Sequence, residues 1–385
     1  VIGCGQFMSR QHIPTIHRSE HLQLQHLVTR DAAKAQRVGA QYGAKNVGTR
    51  WEDVIADPGV DVVVVGVVPE LHPVIARASL EAGKPTYVEK PLASTTAECL
   101  AIQRRSAELG VALAVGFNRR FAPAVTLVAG ALRDVEGPVT LTYRISDDDR
   151  IRPPEQRWKL GCRLQIEVVH IFDLLFHLLQ SEPVSVYARE TRFNDALVVV
   201  EFADGSRASV HSSSWGSMAQ PKERLEAVLD RGALEMEDFV ELRGYGAVDL
   251  PDATRFPGRA YDGCDNAHVS AFGKDGRSAL LDLRRRYNRA YADSGVLADS
   301  SDPQAWDRAR QLLGTPPPPQ INYSMDKGWG RALEDFCLAV ADGRPIKNAT
   351  AVDGVRATAC AEAARVSIDQ GTSVELDPNQ WLLPA

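Results

Sequence analysis

Val1-Ile2-Gly3-Cys4-Gly5-Gln6-Phe7-Met8 opens the chain, and its reading decides the fold. Two apolar residues run into Gly-x-Gly and then into a segment able to form a helix. A parallel strand turns in this way into a helix whose N-terminus cradles a pyrophosphate: the first glycine makes the turn, and the second admits phosphate oxygens because no Cβ intervenes. The third small residue of such a turn, which lets helix and strand pack closely, is replaced here by Met8. Val1 stands within the expected first strand, which implies chain upstream of it.

Outward from this turn the first 120 residues alternate in a βαβ manner. The pattern predicts strands over 22–29, 60–68, 85–88 and 111–115, and helices over 32–42, 72–82 and 94–109. The run Val60-Asp61-Val62-Val63-Val64-Val65-Gly66-Val67-Val68 is rich in β-branched residues, as suits a strand covered on both faces of a parallel sheet. The fold class is α/β: a doubly wound Rossmann sheet, followed by a second α+β domain on a largely antiparallel open sheet. Domain boundaries are placed at 1–120 and 121–385. In the second part a helix is expected over 123–133 and strands over 139–146, 184–189, 196–202, 207–213 and 224–229, with an irregular excursion at 252–320 that carries one helix around 280–291, and closing helices within 328–369.

Composition narrows the class. The chain has 385 residues, 44% hydrophobic and 24% charged, with a formal net charge of −6, which describes a soluble enzyme-sized protein and argues against a nucleic-acid partner. No apolar stretch approaches the ~20 residues that span a bilayer, so no membrane association is expected. Six scattered cysteines without metal-binding spacing read as reduced thiols in a cytoplasmic protein, with no metal site.

Two segments carry acid–base chemistry. Lys90, in Glu89-Lys90-Pro91, follows a short strand at the carboxyl edge of the sheet, where its ammonium can polarise a substrate oxygen. His170, in Glu167-Val168-Val169-His170-Ile171-Phe172-Asp173, opens an apolar helix and can exchange a proton near neutral pH. Glu167 and Asp173 lie three residues to either side and share its helical face.

These segments, with Pro69-Glu70-Leu71-His72, Gly83-Lys84-Pro85 and Gly116-Phe117-Asn118-Arg119-Arg120-Phe121, occur in an order that resembles the Gfo/Idh/MocA family of nicotinamide-dependent sugar and cyclitol oxidoreductases. The likeness covers residues 1–125, continues over 160–245 through His170-Ile171-Phe172-Asp173 and Pro221-Lys222-Glu223-Arg224-Leu225-Glu226, and returns at Lys327-Gly328-Trp329. It implies hydride transfer between NAD(P) and a secondary alcohol or ketone of a sugar, sugar derivative or cyclitol. Lys90 would polarise the oxygen and His170 would act as general acid/base, with Glu167 the third catalytic candidate. The cofactor would be held by Gly3, Gly5, Gln6, Phe7, Met8, Thr29, Arg30, Pro69, His72, Glu89, Lys90, Asn118 and Arg119. Substrate contacts are expected from Tyr143, Arg157, Trp158, Glu167 and Asp173.

The sequence departs from the family where many members carry Asp four residues before the histidine: Ile166 stands there, and the carboxylate is Glu167 instead. At the end of the second strand, Thr29-Arg30 replaces the acid that binds a ribose diol, which favours NADP over NAD, with Asp31 as the alternative for NAD. The cluster Arg284-Arg285-Arg286 with Arg289 reads as a solvated helical face, or alternatively as a phosphate receiver. The family resemblance further implies a homodimer or homotetramer. Two other readings compete: cleavage of a glycosidic bond through transient oxidation, with Glu167 or Tyr143 as a further acid/base, and a dinucleotide-sensing regulator without catalysis.

Overall fold

The computed structural model describes residues 1–133, 135–151, 162–260, 266–314 and 321–382. The first half contains α1 (Gln6–Arg10), α2 (His12–Arg18), β1 (His26–Val28), α3 (Ala32–Tyr42), β2 (Asn46–Gly48), α4 (Glu52–Ala56), β3 (Val63–Val65), α5 (His72–Glu81), β4 (Thr86–Val88), α6 (Thr96–Leu109) and β5 (Leu113–Val115). β2 pairs with β1, and β3 with β4 and then β5, all in parallel. Ile2 bridges Val28 on one side and Val65 on the other, joining the two groups. The Val60–Val68 run contributes only Val63–Val65 to the ladder, and all three are buried. The helix after Gly5 breaks at Gln11. Pro14 explains the break, since it has no N–H to donate to Arg10 four residues back. Ends elsewhere follow capping chemistry: Asp31 accepts from Lys34 N to start α3, and Thr95 and Glu98 form a capping box on α6.

A 3₁₀ turn at Asn118–Phe121 leads into the second half. There follow α7 (Pro123–Arg133), β6 (Thr140–Ser146), a π-helical turn at Leu164–Val168, α8 (Val169–Leu179), β7 (Pro183–Arg192), β8 (Asp195–Phe202), β9 (Arg207–Ser213), β10 (Glu223–Leu229), β11 (Gly232–Glu237), β12 (Glu241–Gly246) and β13 (Thr254–Arg255). Then come α9 (His268–Asp275), α10 (Arg277–Ser294), α11 (Pro303–Leu313), α12 (Trp329–Asp342), α13 (Ala351–Gln370) and β14 (Val374–Glu375). The sheet runs β13-β12-β11-β10-β6-β9-β8-β7-β14 and is antiparallel except for the β6–β9 pair. Alternate residues of its strands are buried, as in β8, where Ala196, Val198, Val200 and Phe202 face inward while Leu197 is 52% exposed. One face therefore packs on helices and the other is open.

Two expectations need correction. The stretch 252–320 is not irregular where described: α10 and α11 pack around a core of Tyr287, Tyr291, Val296, Trp306 and Leu313, and α9 joins the main core through Phe272. The high Arg and Asp content of this stretch hides the amphipathic period, although Asp302-Pro303 starts α11 and Gly314 ends it in the left-handed region. The closing helices also do not belong to the second sheet alone. Val115 N donates to Ala349 O, and Gln103 Nε2 to Trp381 O, so the C-terminal chain returns to the first half.

Candidate active site

The Gly3 turn is shaped by close approach. Gly3 has φ +100°, and a Cβ there would stand 2.1 Å from Gly66 O. Around Gly5 the space is open, with nothing within 4 Å of where a Cβ would lie. An uncrowded glycine at a strand–helix turn, on the carboxyl edge of a parallel sheet, fits a dinucleotide pyrophosphate. Met8 is buried and packs against Gly66, so the expected loss of close packing at the third position does not occur. Gln6 and Phe7 begin α1. The Phe7 ring lies 5.2 Å from His12, 6.2 Å from Tyr323 and 6.0 Å from Trp329, forming an aromatic wall beside the turn. At the end of β1, Thr29 is half-buried and Arg30 exposed, while Asp31 is engaged with Lys34 N at 2.9 Å.

On the neighbouring strand ends, Pro69 starts a 3₁₀ turn and His72 begins α5. His72 Nδ1 lies 2.7 Å from Pro91 O, and burial lowers its pKa. Glu89 is buried against His12 Nε2 at 2.7 Å. Lys90 Nζ donates to Ile166 O at 2.5 Å, which carries it from the first half of the chain to the π turn that precedes His170. Burial pushes the Lys90 ammonium below the usual lysine range, opposed by Glu167 and Glu89.

His170 is the second residue of α8, with 6% exposure and its ring edge-on to Phe117 at 5.7 Å. Its Nδ1 is buried without a hydrogen-bond partner among the described residues. Burial, with Arg119 and Lys90 adding to it, holds its pKa well below the usual histidine value, so the ring is neutral at pH 7. Glu167 is held well below the usual carboxylate range against its burial, first by Lys222 and then by Lys90. Lys222 Nζ contacts Asp147 at 2.8 Å and Glu167 at 3.4 Å. Lys90, Glu167 and His170 thus lie within electrostatic reach of one another around the π turn.

Other expected residues are placed differently. Asn118 donates to Lys327 O at 2.6 Å, and Arg119 clamps Glu223 at 2.8 and 2.9 Å, so both tie the link between the halves to the second sheet. Tyr143 is fully buried and donates to Glu223 at 2.6 Å, so it is not open to a substrate. Asp173 is fully buried in a bidentate pair with Arg120 rather than facing a substrate. On a helix otherwise apolar except for His170 and His177, its carboxylate is satisfied by that guanidinium. Arg157 and Trp158 lie outside the described residues. Trp215 is partly exposed between Arg150 and Arg192, whose guanidinium carbons lie 5.2 and 4.2 Å from its ring. Sequence reasoning gave no role to Lys222, Glu223 or Lys327. Their signal was charged residues at the start of an inward-facing strand and before α12, where burial demands partners.

A Rossmann half with an open glycine turn, set against a buried lysine and a neutral histidine, holds the groups that a nicotinamide-dependent dehydrogenase uses. Residues 1–117 match the oxidoreductase family with an NAD-binding Rossmann fold, Gfo/Idh/MocA. Over these residues the chain carries the family's NAD-binding Rossmann fold, and the relatives it resembles include named dehydrogenases. It is 29% identical over 282 residues to inositol 2-dehydrogenase 1 of Saccharopolyspora erythraea, covering 66% of this chain and 72% of that one. To 4-carboxy-2-hydroxymuconate-6-semialdehyde dehydrogenase of a Sphingobium species it is 34% identical over 121 residues, or 31% of this chain and 38% of that one. Among solved structures, levoglucosan dehydrogenase in complex with NADH and L-sorbose shares the fold, with a TM-score of 0.72 at 19% identity over 98% of this chain and 97% of that one. No described helix is long and apolar enough to cross a membrane, and no described cluster of His, Cys, Asp or Glu forms a metal site.

Proposed function

We propose that the protein oxidises a secondary alcohol of a cyclitol, sugar or sugar derivative, or reduces the corresponding ketone. The observation that carries this reading is that Lys90 reaches the π turn leading into the helix of neutral His170, in a chain whose Gly5 turn is open. NAD(P), when bound, accepts or supplies the hydride. Lys90 holds the substrate oxygen and stabilises negative charge that develops on it. His170, neutral at pH 7, takes the hydroxyl proton in oxidation and returns it in reduction. Glu167, held ionised beside Lys222, accepts a hydrogen bond from a neighbouring substrate hydroxyl and orients the ring. The relatives named for inositol and levoglucosan support a polyol substrate.

On the same reading residues 1–120 bind the cofactor and 121–385 bind the substrate, in a cytoplasmic homo-oligomer. Asp31 is committed to capping α3 and Arg30 is exposed at the strand end, which supports NADP over NAD. Transient oxidation with bond cleavage is less well supported. Tyr143 is sealed behind Glu223, and Glu167 is kept charged, so neither offers a second acid. Reduction of NADP⁺ or NAD⁺ at 340 nm is to be followed with myo-inositol, scyllo-inositol, D-xylose and levoglucosan. Net nicotinamide reduction supports the reading; cleaved product without it overturns simple dehydrogenation.

A further inference from the structure

Arg284, expected on a solvated helical face or in a phosphate-receiving cluster, is neither. It projects from α10 into the protein with its side chain 1% exposed. Its Nη2 and Nε both donate to Asp238 Oδ2, at 2.6 and 3.1 Å, and Nη2 also donates to Asn322 Oδ1 at 3.2 Å. Asp238 is itself fully buried, and it accepts the two backbone N–H groups that begin β10: Lys222 N at 2.8 Å and Glu223 N at 3.0 Å. Asp238 and Phe239 both take positive φ, 46° and 64°, so this corner is a strained one that its hydrogen bonds must hold.

The two residues fixed by Asp238 are buried and tie into the charged cluster behind Glu167. Lys222 reaches Glu167, and Glu223 anchors Arg119 and Lys327. A carboxylate buried as deeply as Asp238 is oriented by the guanidinium paired with it. Removing Arg284 takes away the two side-chain bonds to Asp238 Oδ2, so the carboxylate turns and the β10 start loses its register.

We infer that Arg284 is a positioning residue: acting through Asp238, it fixes Lys222 against Glu167 of the π turn. The inserted helices α9 to α11 are then the rear support of the site rather than a surface addition. The inference rests on the dehydrogenase reading for its kinetic arm and on the geometry alone for its structural arm.

The test uses the full chain with Arg284→Met and Arg284→Lys, labelled with [ε-¹³C]lysine, the Lys222 resonance being assigned with Lys222→Arg. Expected is a graded effect. Arg284→Met moves the Lys222 resonance and lowers kcat with myo-inositol, or with the best polyol of the panel, by about tenfold or more, with NADH affinity within about threefold. Arg284→Lys, which keeps the charge and loses the fork, gives an intermediate shift and a fall of about two- to fivefold. An unmoved Lys222 resonance with unchanged kcat in either folded variant overturns the inference. So does a parallel loss of NADH affinity, melting temperature and rate that Arg284→Lys does not relieve. If Arg284→Met fails to fold, Arg284→Lys alone decides by the same criteria. If the wild type reduces no nicotinamide with any polyol, the dehydrogenase reading fails, and the Lys222 resonance still decides whether Arg284 acts on it.

Discussion

Met8 and Gly66 share one volume: a Cβ on Gly66 would stand 2.1 Å from Met8 Sδ and 2.5 Å from its Cγ. The glycine at the end of β3 thus provides the close packing that a small residue at position 8 otherwise gives. Gly66→Ala is expected to cost about 1–3 kcal/mol, because Met8 is buried and must be displaced within a packed core. The double variant with Met8→Ala should recover most of that loss, a coupling measurable by urea denaturation. Equal losses in the single and double variants would refute the compensation.

His170→Ala should lower kcat by about 10²–10⁴-fold while leaving NADPH affinity within a few-fold, since the ring serves proton transfer and not cofactor binding. Fluorescence titration alongside steady-state kinetics separates the two. Comparable loss of both would make the histidine structural.

The pH profile of kcat/KM for oxidation should be flat through neutrality. His170 must be neutral to accept the proton, and burial holds its pKa well below the usual 6.5, so the acid limb lies beneath that value. Lys90 must be protonated, and burial lowers it from 10.5, so the basic limb falls short of the ordinary lysine range. An acid limb at or above pH 6.5 would contradict the assignment, and Lys90→Arg should move the basic limb alone.

Arg120 holds two buried carboxylates, Asp173 at 2.6 Å and Asp353 at 2.8 Å. Arg120→Met should destabilise the fold by about 3–5 kcal/mol at pH 8 by stranding Asp173, while Asp353 keeps its pair with Arg356. Burial already raises Asp173 to about 6, so the native state takes up its proton as pH falls through that value. The penalty should therefore shrink at pH 5 relative to pH 8, as denaturation at the two pH values would show. A penalty independent of pH would mean that packing, not charge, is lost.

On the proposed reading, cofactor preference turns on Arg30. Arg30→Ala should weaken NADPH binding by about tenfold or more and leave NADH nearly unchanged, since one charge-assisted contact to the 2′-phosphate is removed. Titration of both nucleotides measures the ratio; an equal effect on each would remove Arg30 from the recognition of phosphate.

Much of the first half was legible because a parallel sheet imposes local rules. Gly3-x-Gly5, the valine run and the capped helices each announce themselves within a few residues, and α3 and α7 begin and end where the pattern placed them. That Lys90 and His170 stand close together was not legible from local pattern, since only the fold carries the Lys90 side chain to the π turn before His170. Tyr143 and Asp173 were misplaced because a polar group on an apolar face reads alike whether it meets a substrate or a buried ion, and only the fold brings Glu223 and Arg120 to them. β11, β12 and most of the α9–α11 stretch were hidden by charge: Glu235, Glu237 and Arg243 interleave the inward residues, and Arg284 occupies a position that composition alone assigns to solvent.

The return of the C-terminal chain to the first sheet has a consequence for synthesis. β5 receives its outer partner only when Ala349 arrives, and Gln103 of α6 finds its acceptor only at Trp381. A nascent cofactor half therefore leaves the ribosome with one sheet edge bare and one helix face undocked for as long as the second half is being made. Unpaired edges of that kind invite association with other chains. Chains that stop short of α13 are thus poor candidates for stable fragments, and an exchange of cofactor halves between relatives has to carry both ends of the polypeptide.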